Sequence, residues 1–131
     1  MVRRFGELEA QLMEVLWNAR GPLTVREVRA QLTREQPPAF TTVQTVLNIL
    51  HGKGWLDRSL AGRAHQYWPR ATREDYVAGL MRHALDETDN RGAALARFVD
   101  QMAPTEIDEL SARLASLREN AQHRARPEDL A

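Results

Sequence analysis

The stretch AFTTVQTVLNILHGKG, residues 39–54, decides the fold of this chain. Its apolar residues recur at intervals of three and four, which places them on one face of a helix. These core-facing residues are Val43, Val46, Leu47 and Leu50. The opposite face carries short uncharged polar side chains, namely Thr41, Gln44, Thr45 and Asn48. Such hydroxyl and amide groups suit the reading of base edges in a DNA major groove, so the stretch predicts a recognition helix.

Two shorter helical segments precede this stretch. Residues 6–20 carry one apolar stripe and end at a Gly-Pro pair. Thr24 is the predicted N-cap of a second helix over residues 25–33, with Glu27 as its capping-box partner. A pair of prolines then interrupts the chain before the recognition helix. This order predicts a helix-turn-helix, because two helices are followed by a break and a third helix with a polar face.

The hydrophobic period changes from helical to alternating after Gly54. Residues 55–60 and 64–68 therefore predict two short strands. Gly62 can supply the positive φ that a tight hairpin needs, and Arg63 lies at the predicted tip. Three helices followed by a hairpin with a basic tip predict a winged helix, so residues 1–71 are interpreted as a DNA-binding domain.

The rest of the chain, residues 72–131, is predicted to be an all-helical dimerisation domain with a frayed tail from Ala121 onward. Thr72, Asn90 and Thr105 are the predicted N-caps of its three helices. Their apolar stripes offer too little surface for an independent core. We therefore expect them to pack against a second copy of the chain, although packing on the N-terminal domain is the alternative. The predicted dimerisation residues are Tyr76, Val77, Leu80, Met81, Leu95, Phe98, Val99, Ile107, Leu110, Leu114 and Leu117.

The charge distribution agrees with this division, although the net charge is zero. Residues 1–71 contain ten basic and six acidic side chains, which gives a net charge of +4. Residues 72–131 contain eight basic and twelve acidic side chains, which gives −4. This asymmetry is typical of a phosphate-facing domain joined to an acidic domain.

Composition argues against several other classes of protein. No stretch approaches the roughly 18 apolar residues of a membrane span, and acidic residues stand where a signal peptide needs an apolar run, so we expect a cytoplasmic protein without direct membrane association. The absence of cysteine excludes disulfides and thiolate metal sites. The four histidines lack metal-site spacing and no catalytic motif is recognisable, so the sequence predicts no enzyme, metal or cofactor.

Several segments, in order, resemble the penicillinase-repressor family of winged-helix regulators, the BlaI/MecI type. They are GELEAQLMEVLW at 6–17, GPLTVREVRAQL at 21–32, FTTVQTVLNILHGKGWLDR at 40–58 and GRAHQYWP at 62–69. The resemblance is looser beyond residue 71, where PTEIDEL at 104–110 is similar to the family's last helix. It implies a homodimer that binds palindromic operators and represses β-lactamase or related cell-envelope genes, and hence a link to antibiotic resistance.

The resemblance also implies a route for release of repression. In the family, a membrane-bound sensor metalloprotease is involved and the repressor is cleaved just before the Phe of a Phe-Val-Glu stretch. The corresponding bond here joins Arg97 and Phe98. This chain has Arg where the best-known members have Asn, and Asp100 where they have Glu.

Two sets of side chains are the predicted DNA contacts. Thr41, Thr42, Gln44 and Thr45 are the predicted base readers. The predicted contacts to the DNA backbone are Thr24, Arg26, Arg29, Lys53, Arg58 and Arg63. The alternatives are a winged helix that binds a protein partner through its threonine face, and a repressor with an effector pocket between its halves.

Overall fold

The computed structural model describes residues 3–32 and 36–124. The first elements are α1 (Glu7–Asn18), β1 (Leu23–Thr24), α2 (Val25–Ala30) and α3 (Phe40–Gly52). They are followed by β2 (Leu56–Ala61), β3 (Ala64–Pro69), α4 (Arg73–Leu85), α5 (Arg91–Asp100) and α6 (Pro104–Arg124). Internal contacts group residues 1–84 into one compact unit and residues 85–131 into a second. The predicted functional boundary at residue 71 thus lies inside the first unit and stays a prediction.

The core of the N-terminal unit forms where α1, α2 and α3 meet the sheet. Its buried residues are Leu12, Met13, Leu16, Val25, Val28, Val43, Leu47, Leu50, Leu56 and Tyr67. The stripe predicted for α3 is confirmed, because three of its four residues are fully buried and Val46 packs against the core while partly exposed. Burying one face of α3 leaves its polar face on the surface.

A three-stranded antiparallel sheet with the order β1-β3-β2 completes this unit. The hairpin is confirmed: Ala61 pairs with Ala64, so the turn consists of Gly62, with φ of 67°, and Arg63. A glycine at the first turn position matches the strand twist of a two-residue hairpin. The pairing of Leu23 with Tyr67 adds β1 to the sheet. The fold is therefore mainly α, with a winged helix at its N-terminal end.

The predicted helix starts are partly confirmed. Thr24 and Glu27 form the reciprocal capping box of α2, and Asn90 Oδ1 accepts a hydrogen bond from the backbone of α5. The prediction of Thr105 as the cap of α6 is wrong. This helix begins at Pro104, two residues earlier than a Thr105 cap implies, because proline suits the first helical position and Glu106 accepts the Ala103 N–H at 2.8 Å.

Two predicted helix ends also differ. The second helix ends at Ala30 rather than at residue 33, which lies outside the described residues. The frayed tail predicted from Ala121 is helical through Arg124, since no proline or glycine interrupts the helix there. Its remaining residues, 125–131, lie outside the described part of the chain.

Two capping carboxylates make stability depend on pH. The Thr24 backbone N–H and hydroxyl lower the pKa of Glu27 below its ordinary 4.5, and the same groups of Thr72 lower the pKa of Asp75 below 3.8. A lowered folded-state pKa contributes stability that is present above the ordinary pKa and is lost as pH falls through the folded value. We expect the Glu27→Gln, Asp75→Asn double variant to lose less stability than wild type between about pH 5 and about pH 3. Urea unfolding across this range measures the difference, and parallel curves would contradict it.

An aromatic cluster joins α4 to the start of the chain within the N-terminal unit. The Phe5 ring stacks on Tyr76 with centroids 4.2 Å apart, and Trp55 meets Tyr76 edge-on at 5.5 Å. The Phe5 N–H donates to the Tyr76 hydroxyl at 2.8 Å, and Trp17 Nε1 donates to the Ala71 carbonyl at 2.9 Å. Tyr76, a predicted dimer contact, therefore packs within the chain.

The second unit has no buried side chain in either α5 or α6. Six of its predicted dimerisation residues are 37–50% exposed: Leu95, Phe98, Val99, Ile107, Leu114 and Leu117. Leu110 is half-buried. In the first unit, Val77 and Met81 of α4 are exposed and Leu80 is half-buried. Exposed apolar helix faces of this extent are typical of interaction surfaces.

No helix in the described part of the chain is both long and apolar enough to cross a membrane.

Candidate nucleic-acid interface

The outer face of α3 is the centre of the candidate interface. All four predicted base readers are exposed on it: Thr41, Thr42, Gln44 and Thr45. The Thr45 hydroxyl donates to the Thr41 carbonyl at 2.8 Å. Because its only hydroxyl hydrogen is used there, the Thr45 hydroxyl presents an acceptor, the group that suits an amino group of adenine or cytosine rather than a base carbonyl.

The two helix N-termini at this surface differ in their free N–H groups. The N-terminus of α2 is closed by its capping box, in which Thr24 Oγ1 accepts from Glu27 N at 3.3 Å and Glu27 accepts from Thr24 N at 3.0 Å. In contrast, Ala39 gives α3 no side-chain cap. The first N–H groups of α3 are therefore better placed than those of α2 to bind an anion.

A cleft of about 310 Å³ lies between α3 and the wing, which is the β2–β3 hairpin. Its walls come from the start of α2, the first turns of α3 and the wing, and they contain Thr24, Val25, Arg26, Phe40, Gln44, Arg63, Ala64 and His65. Four of these are predicted DNA contacts: Thr24, Arg26, Gln44 and Arg63. The tertiary structure thus brings the predicted base reader Gln44 into one cleft with Arg26 and Arg63, which are far apart in sequence.

Three other predicted backbone contacts are engaged within the chain. Arg29 Nε donates to the Pro38 carbonyl at 2.7 Å, which holds the segment that leads into α3. Lys53 Nζ forms an ion pair with Glu9 at 3.0 Å beside a cavity of about 550 Å³. Partial burial is the largest single effect on the pKa of Glu9 and raises it, but the hydrogen bonds from Lys53 and from the Gly6 backbone and the charge of Lys53 together outweigh it, so the pKa is lowered.

The third is Arg58, which takes part in a network that joins the wing to α3. Asn48 Oδ1 accepts from Arg58 Nη1 at 2.8 Å and from the Tyr67 hydroxyl at 2.5 Å. Tyr67 is fully buried, so its hydroxyl needs such a partner. Because arginine can only donate hydrogen bonds, the side-chain oxygen of Asn48 must face Arg58. The side-chain NH₂ group of Asn48 therefore faces the other way and can offer only donors to a ligand.

This network predicts the effect of removing one hydroxyl. Tyr67→Phe deletes the donor to Asn48 but keeps the buried ring, so we expect the free energy of unfolding to fall by about 0.5–1.5 kcal/mol. Urea unfolding measures the loss. The half-buried Tyr76 is the matched control position, since its hydroxyl accepts from the Phe5 backbone instead. A Tyr67→Phe variant as stable as wild type would contradict a stabilising role for the network.

Comparison with known proteins agrees with this geometry. The family model described as penicillinase repressor matches residues 5–116. The chain belongs to the penicillinase-repressor family. It is 40% identical over 127 residues to the transcriptional regulator BlaI of Mycobacterium tuberculosis, covering 95% of this chain and 91% of that protein. The resemblance seen in the sequence is confirmed, and as a member of a family of transcriptional regulators the chain is not an enzyme.

Two solved BlaI structures are also similar to this penicillinase-repressor family member. The solution structure of the DNA-binding domain of the repressor BlaI is 28% identical, covers 58% of this chain and 94% of its own, and has a TM-score of 0.49. The monomeric form of Bacillus licheniformis BlaI in complex with a half-operator is 28% identical, covers 58% of this chain and 92% of its own, and has a TM-score of 0.47.

Three residues of the candidate interface are not among the DNA contacts predicted for this family member. Phe40 and His65 line the cleft, and Asn48, which the sequence places on the polar face of α3, joins that helix to the wing. Asn48 follows Gln44 by four residues on the polar face, and this spacing could have identified it as part of the candidate interface. His65 Nδ1 is buried without a hydrogen-bond partner among the described residues. Within the same residues, no group of three metal-ligating side chains is arranged around a common point.

Proposed function

We propose that this penicillinase-repressor family member is a homodimeric transcriptional repressor that reads palindromic operator DNA in the cytoplasm. One observation carries the proposal: the exposed, uncharged face of α3 adjoins a cleft in which Gln44 lies with Arg26 and Arg63. Amide and hydroxyl groups discriminate base edges, whereas arginines neutralise phosphates. The relatives named as BlaI transcriptional regulators support the same function.

The contacts divide by chemistry. Thr41, Thr42, Gln44 and Thr45 read bases, with Gln44 suited to an adenine edge. Arg26 and Arg63 are exposed and form no ion pair with another described residue, so they bind phosphates directly.

The remaining predicted backbone contacts play a supporting part. Thr24 caps the start of α2. Arg29 binds the Pro38 carbonyl before α3, and Arg58 binds Asn48 on α3. Each arginine keeps further N–H groups that can donate to a phosphate. Lys53 contributes least, because its charge is offset by Glu9.

Homodimerisation is supported by the apolar faces of the second unit. Since α5 and α6 bury no residue of their own, their exposed leucines and Phe98 require a second surface. Another copy of the same chain offers a self-complementary one, and a two-fold dimer matches a palindromic operator.

The proposed targets are β-lactamase or related cell-envelope genes, and the proposed release is proteolytic. The bond between Arg97 and Phe98 lies inside α5, and both residues are exposed. A sensor protease would have to unwind the end of this short helix to cut there. Mass spectrometry of the protein after exposure of cells to a β-lactam tests this step. A fragment ending at Arg97 is expected, and an intact chain during derepression would exclude cleavage.

In vitro selection from random duplex DNA with the full-length protein tests the function itself. We expect an inverted repeat whose half-site centres lie about one helical turn apart, near 34–36 Å. Selection of single half-sites would contradict the dimeric arrangement. No enrichment at low salt would overturn the repressor function and favour a winged helix that binds a protein partner.

A further inference from the structure

Phe40 occupies an unusual place for an aromatic side chain. It is the first residue of α3, and its side chain is 45% exposed. It belongs neither to the buried core nor to the hydrophobic residues that pack against the core. Unlike Phe5, it makes no ring contact with the aromatic residues of the described chain. Its ring is therefore not part of the hydrophobic core of the N-terminal unit.

The surroundings of Phe40 are those of a base-reading surface. It lines the cleft together with Gln44, Arg63 and His65. Gln44 follows it by four residues, so the two side chains are neighbours on one side of α3. The cleft thus combines the apolar Phe40 ring with side chains that are basic or can form hydrogen bonds.

An exposed ring at this position has one chemical counterpart in duplex DNA. The N-terminal residues of a recognition helix meet base edges in the major groove. The apolar group that base edges present there is the C5 methyl of thymine, which phenylalanine can contact. We propose that Phe40 is a specificity-determining residue that reads a thymine methyl next to the base contacted by Gln44. This inference rests on the proposed function, since it requires α3 to lie in the major groove.

Single exposed apolar residues are common on protein surfaces, so the test must respond to the methyl group itself. The probe is the DNA duplex selected by the full-length protein, with each thymine replaced in turn by deoxyuridine. This change removes one methyl group and keeps every hydrogen-bonding group of the base. Fluorescence anisotropy of the labelled duplexes measures the affinity of wild type, Phe40→Ala and Phe40→Leu.

Ile49→Ala is the matched control variant. Ile49 is on the same helix and is also 45% exposed, but it lies about 2.5 helical turns further along, on the opposite side of α3 from Phe40. Circular dichroism confirms that each variant is folded. If Phe40→Ala is unfolded, Phe40→Leu replaces it, because a smaller side chain in the same place weakens the response to the methyl group without removing all apolar contact.

For wild type, we expect one thymine in each half-site at which loss of the methyl lowers affinity about three- to fivefold, as for one buried methyl group. Phe40→Ala is expected to bind the two duplexes equally at that position, whereas Ile49→Ala keeps the full difference. Wild-type affinity that is unchanged by every replacement, or a selected site without thymine, overturns the proposal. A difference that persists in Phe40→Ala also overturns it and assigns the methyl to a threonine. Failure to select any DNA is a separate result, because it rejects the proposed function as well.

Discussion

Leu114→Asp is expected to turn the proposed dimer into a monomer and to lower operator affinity by about 10²- to 10⁴-fold, the range that bivalency contributes to linked binding sites. Leu114 lies on the apolar face of α6 and is 48% exposed in the single chain. In the proposed dimer the same side chain is covered by the partner. A carboxylate in that position must lose its hydration, and this cost acts against association.

The chain offers a matched control for this change on the same helix. Ala112 is exposed on α6, on the side away from the row formed by Ile107, Leu110 and Leu114. Ala112→Asp introduces the same charge at nearly the same place in the sequence. We expect it to leave both the dimer and the operator affinity unchanged.

Two measurements separate loss of the dimer from loss of the fold. Sedimentation velocity gives the oligomeric state, and circular dichroism follows the helix content of the variant. Leu114 is exposed in the single chain and is not part of the core of the N-terminal unit, so the N-terminal unit of Leu114→Asp should stay folded. A dimeric Leu114→Asp variant would place the interface elsewhere, and a monomer with undiminished affinity would show that the operator is read by single chains.

The second large effect is a steep dependence of operator affinity on salt. If about six phosphates are neutralised in each half-site, the logarithm of the half-site affinity falls by about 5.4 for each unit of log salt, or about 10³-fold between 50 and 200 mM. The chain has a net charge of zero, so this slope depends on the local arrangement of arginines and not on an overall positive charge. A shallow slope would contradict the proposed interface.

Single variants distinguish the cations that contribute to this slope. Arg63 at the turn of the wing lines the cleft, and Arg63→Ala should reduce the slope by about 1 while weakening all sequences alike. Lys53→Ala is the control, since its ammonium group is 3.0 Å from Glu9 and its charge is already balanced. We expect it to change the slope less. Equal changes would show that the ion pair opens on DNA, and an altered base preference in Arg63→Ala would make Arg63 a base reader.

The order of local elements could be predicted from the sequence because their signals are local. Apolar residues at helical spacing marked the buried side of α3, and Gly62 marked the turn of the wing. Capping by Thr24 was also recognisable, since the capping box spans only four residues. The prediction of Thr105 as a helix cap was wrong, because several neighbouring residues can precede a helix. Proline at position 104 fixes the first helical residue instead.

The partners of individual side chains could not be predicted in the same way. Arg29, Lys53 and Arg58 all have the charge that a phosphate contact needs, but each is engaged by a residue distant from it in the chain. Tyr76 has an apolar ring at helical spacing, as a dimer contact would, yet it stacks on Phe5. Residue type and spacing do not reveal which of several surfaces will meet.

The sequence by itself determined that the chain has a helix with one apolar and one polar face, a basic hairpin, and C-terminal helices with more apolar surface than the chain can bury. It could do so because periodicity and turn chemistry act over a few residues. Only the tertiary structure decided which polar groups stay free at the interface. It placed Gln44 and Phe40 in one cleft with Arg63, and it used the Asn48 oxygen to satisfy the buried Tyr67 hydroxyl. Such pairings depend on how α3 packs against the wing, since a buried hydroxyl must find a partner wherever the folded chain brings one within reach.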